Sequence, residues 1–195
     1  MSDNKELTSE DRSFLREAIK LAKEAQNKGN LPIGAVITLD SKKIGEGRNS
    51  IWSPNYRPNR HAEIEALESV TELEIWSRSA EMTLYTTLEP CLMCLGAILI
   101  YKIGRIVYGS KDPHGGALCV SSHMPIAFSE RKANTVWIHA LSEECDSLSI
   151  TAVSMAKNHI QKEWSEPSLW DIYDPQFNPN HVKKHLHERY IKKTK

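Results

Sequence analysis

Apolar positions recur along the chain with two periods, and the alternation between them predicts its elements. Over residues 9–28, Phe14, Leu15, Ala18, Ile19, Ala22 and Ala25 fall on one stripe at helical spacing. Ser9 is placed to cap this helix, and Gly29 follows its end. After Pro32, the run Ile33-Gly-Ala-Val-Ile-Thr-Leu39 reads as a strand. Asp40-Ser-Lys-Lys43 reads as a turn and Ile44-Gly-Glu-Gly47 as the return strand of a hairpin. Two prolines and two asparagines mark residues 51–60 as a loop.

Helical spacing returns from His61 to Val70, through Ala62, Ile64, Ala66 and Leu67. Met82-Thr-Leu-Tyr-Thr86 is a predicted strand. Pro90 is expected to open the next helix, which runs through Tyr101, because the first turn tolerates its missing N–H. Gly104 is expected to end it, before a strand at Arg105-Ile-Val-Tyr108. Asp112-Pro-His-Gly-Gly116 reads as a loop, residues 135–139 as a strand and residues 143–164 as a helix. Strands alternating with helices point to α/β architecture with helices on both faces of one sheet. No internal repeat is present. Beyond it, residues 165–180 hold three prolines with Trp170, Tyr173 and Phe177 between them. This reads as an extended arm laid over the body or over a neighbouring subunit.

Composition narrows the class. Lys and Arg number 25, Asp and Glu 25, and apolar residues make up 40 % of 195, which excludes disordered and collagen-like chains. Such a length buries enough surface to need no disulfide staples, and four unevenly spaced cysteines make a poor disulfide framework. The polar start carries no apolar signal segment. The longest apolar run, Leu92 to Tyr101, is about half a membrane span. The expectation is a soluble protein of a reducing, cytoplasmic compartment, without a membrane partner. Neutrality hides an asymmetry: residues 181–195 carry six Lys or Arg against one Glu, and residues 141–174 carry seven acids against two bases. A basic tail can attract nucleic acid locally, or be a solvated terminus.

The candidate chemistry lies in His61-Ala62-Glu63 at one helix start and Pro90-Cys91-Leu92-Met93-Cys94 at another. Cys91 and Cys94, three apart at a helix N-terminus, share one face where the dipole favours thiolates. His61 supplies a nitrogen. Three such ligands with a fourth position open describe a catalytic zinc. Glu63, two residues from His61 and so about 200° round the helix, reaches past the metal as a proton acceptor rather than a ligand. The competing reading is a closed structural zinc site with Cys119 or Cys145 as fourth ligand, in a binding module without activity. His181 and His185, spaced by four, are a second metal pair or simply a solvated helix face. Trp52 and Trp76 are candidates to stack on a base or to anchor the fold.

His-x-Glu followed by Pro-Cys-x-x-Cys is the zinc deaminase signature. The chain resembles the cytidine and deoxycytidylate deaminase superfamily, and residues 31–117 are most similar to the bacterial tRNA-specific adenosine deaminases and neighbouring nucleobase deaminases. The supporting strings are Pro32-Ile-Gly-Ala-Val36, Gly45-Glu-Gly-Arg-Asn49, His61-Ala-Glu-Ile64, Thr83-Leu-Tyr-Thr-Thr-Leu-Glu-Pro-Cys-Leu-Met-Cys94, Gly96-Ala-Ile98 and Arg105-Ile-Val-Tyr-Gly109 with Asp112. The resemblance implies a three-layer α/β/α sandwich around a five-stranded mixed sheet, Zn2+ on His61, Cys91 and Cys94, and Glu63 as proton shuttle. It also implies Asn49 and the backbone N–H of Ala62 as substrate contacts, in a homodimer or larger oligomer, while Asp112, before Pro113 and two glycines, is either a turn former or a further substrate contact. Arg60, where the family normally has a small residue, is expected to place a guanidinium at the pocket mouth. The expected organisation is a deaminase domain over residues 1–164 and an arm with a short basic helix over 165–195. The expected reaction is hydrolytic removal of an exocyclic amine from a free nucleobase or nucleoside, with an adenosine in tRNA as the alternative.

Overall fold

A computed structural model describes residues 7–163. In chain order the elements are α1 (Ser9–Asn27), β1 (Gly34–Leu39), β2 (Lys42–Arg48), α2 (Ala62–Ser69), the single turn α3 (Leu73–Trp76), β3 (Thr83–Leu88), α4 (Leu92–Tyr101), β4 (Arg105–Ser110), α5 (Ile126–Asn134), β5 (Val136–His139) and α6 (Glu143–Glu163). The five strands form one sheet in the order β2-β1-β3-β4-β5. β1 lies antiparallel to β2 and β3, while β4 lies parallel to β3 and β5, so the sheet is mixed as expected.

Period-2 alternation sorts each strand into two cores. Ala35, Ile37, Leu84 and Ile106 pack on one face with Ala66, Leu67 and Ile98 of α2 and α4. Val36, Tyr85 and Val107 pack on the other with Leu15, Ala18, Ala22, Cys145 and Leu148 of α1 and α6. The result is the three-layer sandwich. Close approach is allowed by missing side chains: a Cβ at Gly47 of β2 would lie 2.2 Å from the Ala62 carbonyl oxygen and 2.3 Å from Ala66 N, so α2 sits directly on the strand.

Several boundaries differ from the sequence reading, each for a local reason. Thr8, not Ser9, caps α1: its hydroxyl accepts from Asp11 N at 3.0 Å while the Asp11 carboxylate accepts from Thr8 N at 2.9 Å, a reciprocal capping box. The hairpin turn has only Asp40 and Ser41 at its centre, both at positive φ (50° and 59°), so β2 starts at Lys42 rather than beyond Lys43. Pro90 does not open α4. Cys91 is extended (ψ 174°) at the N-cap and the helix begins at Leu92. Nor does Gly104 close it: Lys102 takes the left-handed conformation, with N–H bonds back to Ile98 and Leu99. Gly104 is required for another reason, since a Cβ there would stand 1.8 Å from the Ala80 carbonyl oxygen. α5 was not foreseen, and none of its residues is buried. The arm beyond residue 164, with Trp170, Tyr173, Phe177, His181 and His185, lies outside the described residues.

Candidate active site

His61 and Cys91 are both N-caps, of α2 and α4 respectively, and neither side chain caps its helix. Such positions normally carry Ser, Thr, Asp or Asn. Here the stabilisation a capping side chain brings is forgone, and the two side chains turn towards each other across the sheet's end. Cys94, in the first turn of α4, completes the group. Cys91 Sγ and Cys94 Sγ each stand 3.6 Å from His61 Nδ1, and all three ligand atoms lie within 4.8 Å of one another. A tetrahedral zinc with bonds of about 2.0 Å to nitrogen and about 2.3 Å to sulfur sets N and S about 3.5 Å apart. The donor set and its spacing therefore fit zinc.

Neither remaining cysteine enters this set. Cys145 is buried in the other core, against Gly109, and Cys119 is exposed. Among the described residues the group has three protein ligands, which leaves room for a fourth, non-protein one and argues against the closed structural site.

Electrostatics agree with a cation site. Cys91 is brought down to about 4, first by its hydrogen bond from Cys94 and then, against its own desolvation, by His61. Cys94 is pushed up, because Cys91 already carries the negative charge and the sulfur is buried. A cation between the sulfurs reverses that direction and holds both as thiolates. Burial opposes charge on His61, yet Cys91 and Glu63 together raise its pKa.

Glu63 is 3 % exposed, with Oε2 3.4 Å from Cys94 Sγ and Oε1 accepting from Thr86 Oγ1 at 3.4 Å. Desolvation first, and the Cys91 charge second, raise its pKa. A carboxylate so placed holds a proton more readily than an exposed one, the property a shuttle needs. Glu63 and His61 line a cavity of 210 Å³, together with Leu31, Ile33, Leu88 and Cys91 from the same side.

The other anticipated residues divide. Asn49, at the end of β2, is fully buried and its Nδ2 has no hydrogen-bond partner among the described residues. Ala62 is the first residue of α2 and fully buried, so its N–H is one that no carbonyl of its own helix accepts. Asp112 lines the cavity, but its Oδ1 already accepts from the backbone N–H of His114 and Gly115, both at 2.9 Å. Arg60 does not face the cavity. Its guanidinium pairs with Glu65 and Glu68, each at 2.5 Å, because α2 presents both acids along the adjoining helical face. Trp52 stacks on His159 of α6 at 4.1 Å, and Trp76 packs against Tyr101 and donates to the Val70 carbonyl, so both are anchors.

Two contributors were missed. α6 walls the cavity with Ser149, Ala152, Val153, Ala156 and Lys157. No motif marks them, because a helix wall is set by tertiary placement. The second is Glu89, a buried carboxylate that also lines the cavity. It stands in the Leu88-Glu-Pro-Cys91 string, but nothing local in that string shows the distant loop that its carboxylate meets.

Comparison with known proteins agrees with the geometry. Residues 8–110 match the family model of the cytidine and deoxycytidylate deaminase zinc-binding region. The chain belongs to this family, whose chemistry is zinc-dependent hydrolytic deamination of a nucleobase or nucleoside. It is 36 % identical over 143 residues to the tRNA-specific adenosine deaminase of Bacillus subtilis, covering 72 % of this chain and 86 % of that one. To the enzyme of the same description from Haemophilus influenzae it is 41 % identical over 140 residues, covering 69 % and 78 %. Among solved structures, one from work on A-to-I editing by tRNA:A34 deaminases at the wobble position of transfer RNA superposes with a TM-score of 0.57 at 31 % identity, covering 67 % of this chain and 98 % of that one.

Proposed function

We propose that the protein converts adenosine to inosine with release of ammonia, and that the adenosine is carried by tRNA. The observation that carries the deaminase chemistry is the buried Glu63 carboxylate 3.4 Å from Cys94 Sγ, at the floor of a cavity lined by His61 and Cys91. For the substrate, the support is the similarity to tRNA-specific adenosine deaminases over 78–86 % of their length. A second reading, a free base or nucleoside, draws support from the small cavity and the zero net charge.

His61, Cys91 and Cys94 would hold a zinc ion, which would lower the pKa of a bound water to about 7. Glu63 takes the proton from water attacking the ring carbon that bears the exocyclic amine. It passes that proton to the adjacent ring nitrogen, then takes the remaining hydroxyl proton and delivers it to the exocyclic nitrogen, so that the C–N bond breaks, ammonia leaves and the keto form of the base remains. The Asn49 Nδ2 group, without a partner among the described residues while Oδ1 accepts from Ile51 N at 3.4 Å, is assigned to an acceptor on the substrate, since a buried orphan donor costs about 1–3 kcal/mol until it finds one. The Ala62 N–H, at a helix N-terminus, is assigned to charge developing on the base. Asp112 acts through the turn it holds.

The test is ammonia release by the zinc-loaded protein from an anticodon stem-loop, adenosine, adenine, guanine and cytosine, with inosine formed within the stem-loop read alongside, between 50 and 200 mM salt. Stem-loop turnover that falls steeply with salt is the expected result. Comparable kcat/KM on a free base, insensitive to salt, overturns the tRNA reading and favours the second; no ammonia from any of them overturns both.

We also propose a homodimer, a catalytic domain over residues 1–164 with an appended arm over 165–195, and, for a tRNA substrate, a cytoplasmic site of action. Among the described residues no helix is long and apolar enough to cross a membrane. α4 supports the dimer: it buries Cys94, Leu95, Ile98 and Leu99, yet leaves Leu92 62 % and Ile100 59 % exposed. A helix apolar on both sides normally has both sides covered. Ile100→Glu is expected to convert a dimer to a monomer in light scattering after gel filtration.

A further inference from the structure

Glu89 holds a loop by both of its ends. Oε2 accepts from Asp112 N at 3.3 Å and Oε1 from Leu118 N at 3.2 Å, so one buried carboxylate spans residues 112–118. Its own N–H donates to the Ser110 carbonyl at 2.8 Å, which fixes the strand end from which it projects. The same loop is laid against the metal-ligand segment: Ala117 N donates to the Pro90 carbonyl at 3.0 Å, and Cys91 and Gly116 form an isolated antiparallel bridge. Gly116 fits so tightly that a Cβ there would lie 2.4 Å from the Asp112 carbonyl oxygen and 2.6 Å from Glu89 Cδ. The loop supplies Asp112, His114 and Gly115 to the cavity wall that faces Glu63 and His61.

We infer that Glu89 is a specificity-positioning residue: by clamping the 112–118 loop against Cys91, it sets the width of the cavity beside the reacting carbon and so which ring is accepted. It does this without touching the metal and without exchanging a proton with the substrate. Only a carboxylate offers an acceptor to both amides at once. A glutamine presents one NH2 group to a backbone N–H that needs an acceptor, which leaves that amide unpaired and its loop end free to shift. This inference rests on the cavity's being the base-binding site.

Glu89→Gln and Gly116→Ala perturb the clamp from opposite sides. For each, zinc per chain, thermal unfolding, amide hydrogen exchange at Asp112 and Leu118, and kcat and KM on the wild-type enzyme's preferred substrate and on a second base type are measured. The expected result is one zinc per chain, exchange at these two amides at least tenfold faster, and a KM increase of about tenfold on the preferred substrate. The preference ratio in kcat/KM between the two bases is expected to fall by at least fivefold. A variant that merely loses stability lowers activity on both bases alike and leaves their ratio unchanged, and that outcome overturns the inference. So does unchanged exchange at Asp112 and Leu118 in both variants, a readout that stands even if no base is turned over. Should Glu89→Gln fail to fold, Gly116→Ala decides by the same criteria. Absence of activity in the unmodified enzyme strikes the proposed function, whereas an unaltered preference ratio in active variants strikes only the role given to Glu89.

Discussion

At the scale of single residues, the site trades stability for chemistry. Glu63, to which the proposed mechanism gives the proton, is buried, and burial raises its pKa. Glu63→Gln keeps the shape and removes the acceptor. It is expected to retain zinc, since the ligands are untouched, to unfold no earlier than the unmodified protein, and to lose about 10²–10⁴-fold in kcat. Zinc analysis beside an ammonia assay checks this; full turnover with metal retained removes Glu63 from the mechanism. Asp11 shows the opposite use of a buried acid. Burial would raise its pKa, but Arg105 at 2.7 and 2.8 Å, the Thr8 amide and the Tyr85 hydroxyl bring it down to about 2. The folded value lies below the unfolded one, so this stabilisation is present above about pH 3.9 and is lost as pH falls towards 2. Asp11→Asn is expected to cost about 2–4 kcal/mol at pH 7 and markedly less at pH 3, read by denaturant unfolding at both.

At the scale of elements, the sandwich exists to bring two helix starts together. α2 and α4 deliver their N-caps, His61 and Cys91, to the same end of the sheet. Gly47 lets α2 descend onto β2 closely enough for this. A methyl at Gly47 meets the backbone of Ala62 and Ala66, neither of which can rotate away. Gly47→Ala is therefore expected to destabilise by about 1–3 kcal/mol and to weaken zinc retention against a chelator at temperatures where the protein is still folded. Destabilisation with unchanged zinc retention would separate the packing of α2 from the placing of His61. The same elements show what could be read from the sequence. The stripe from Leu15 to Ala25 and the nearly unbroken apolar run of β1 are strong signals, because α1 buries one face and β1 is buried on both. α4 buries one side and is apolar on the other, so its pattern does not mark its start, and Pro90 points two residues ahead of Leu92, where the helix begins. α5 has no fully buried residue and packs only Phe128 partly against Leu95 and Leu99, too little to make a stripe. In the site, His61, Glu63, Cys91 and Cys94 were legible because their spacing is local. Glu89 and the α6 wall were not, because their roles exist only once distant segments meet.

For the whole molecule, the deciding quantity is charge. Balance between 25 basic and 25 acidic residues gives the enzyme no general attraction for a polyanion. Six of those bases lie in residues 181–195, and without that stretch the rest of the chain is net acidic by five charges. If the adenosine is carried by tRNA, attraction to the phosphates must come largely from this terminal stretch, since each phosphate neutralised contributes about 0.7–0.9 to the slope of log affinity against log salt. Removing residues 181–195 is then expected to lower kcat/KM on an anticodon stem-loop at least tenfold at low salt and to flatten its salt dependence. Zinc content and thermal unfolding of the truncated protein are measured alongside, so that a damaged body is told apart from a lost RNA contact. A truncated enzyme that processes the stem-loop with the full salt slope would place the RNA contacts on the folded body instead. The acidic balance of that body would then have to conceal a local basic track.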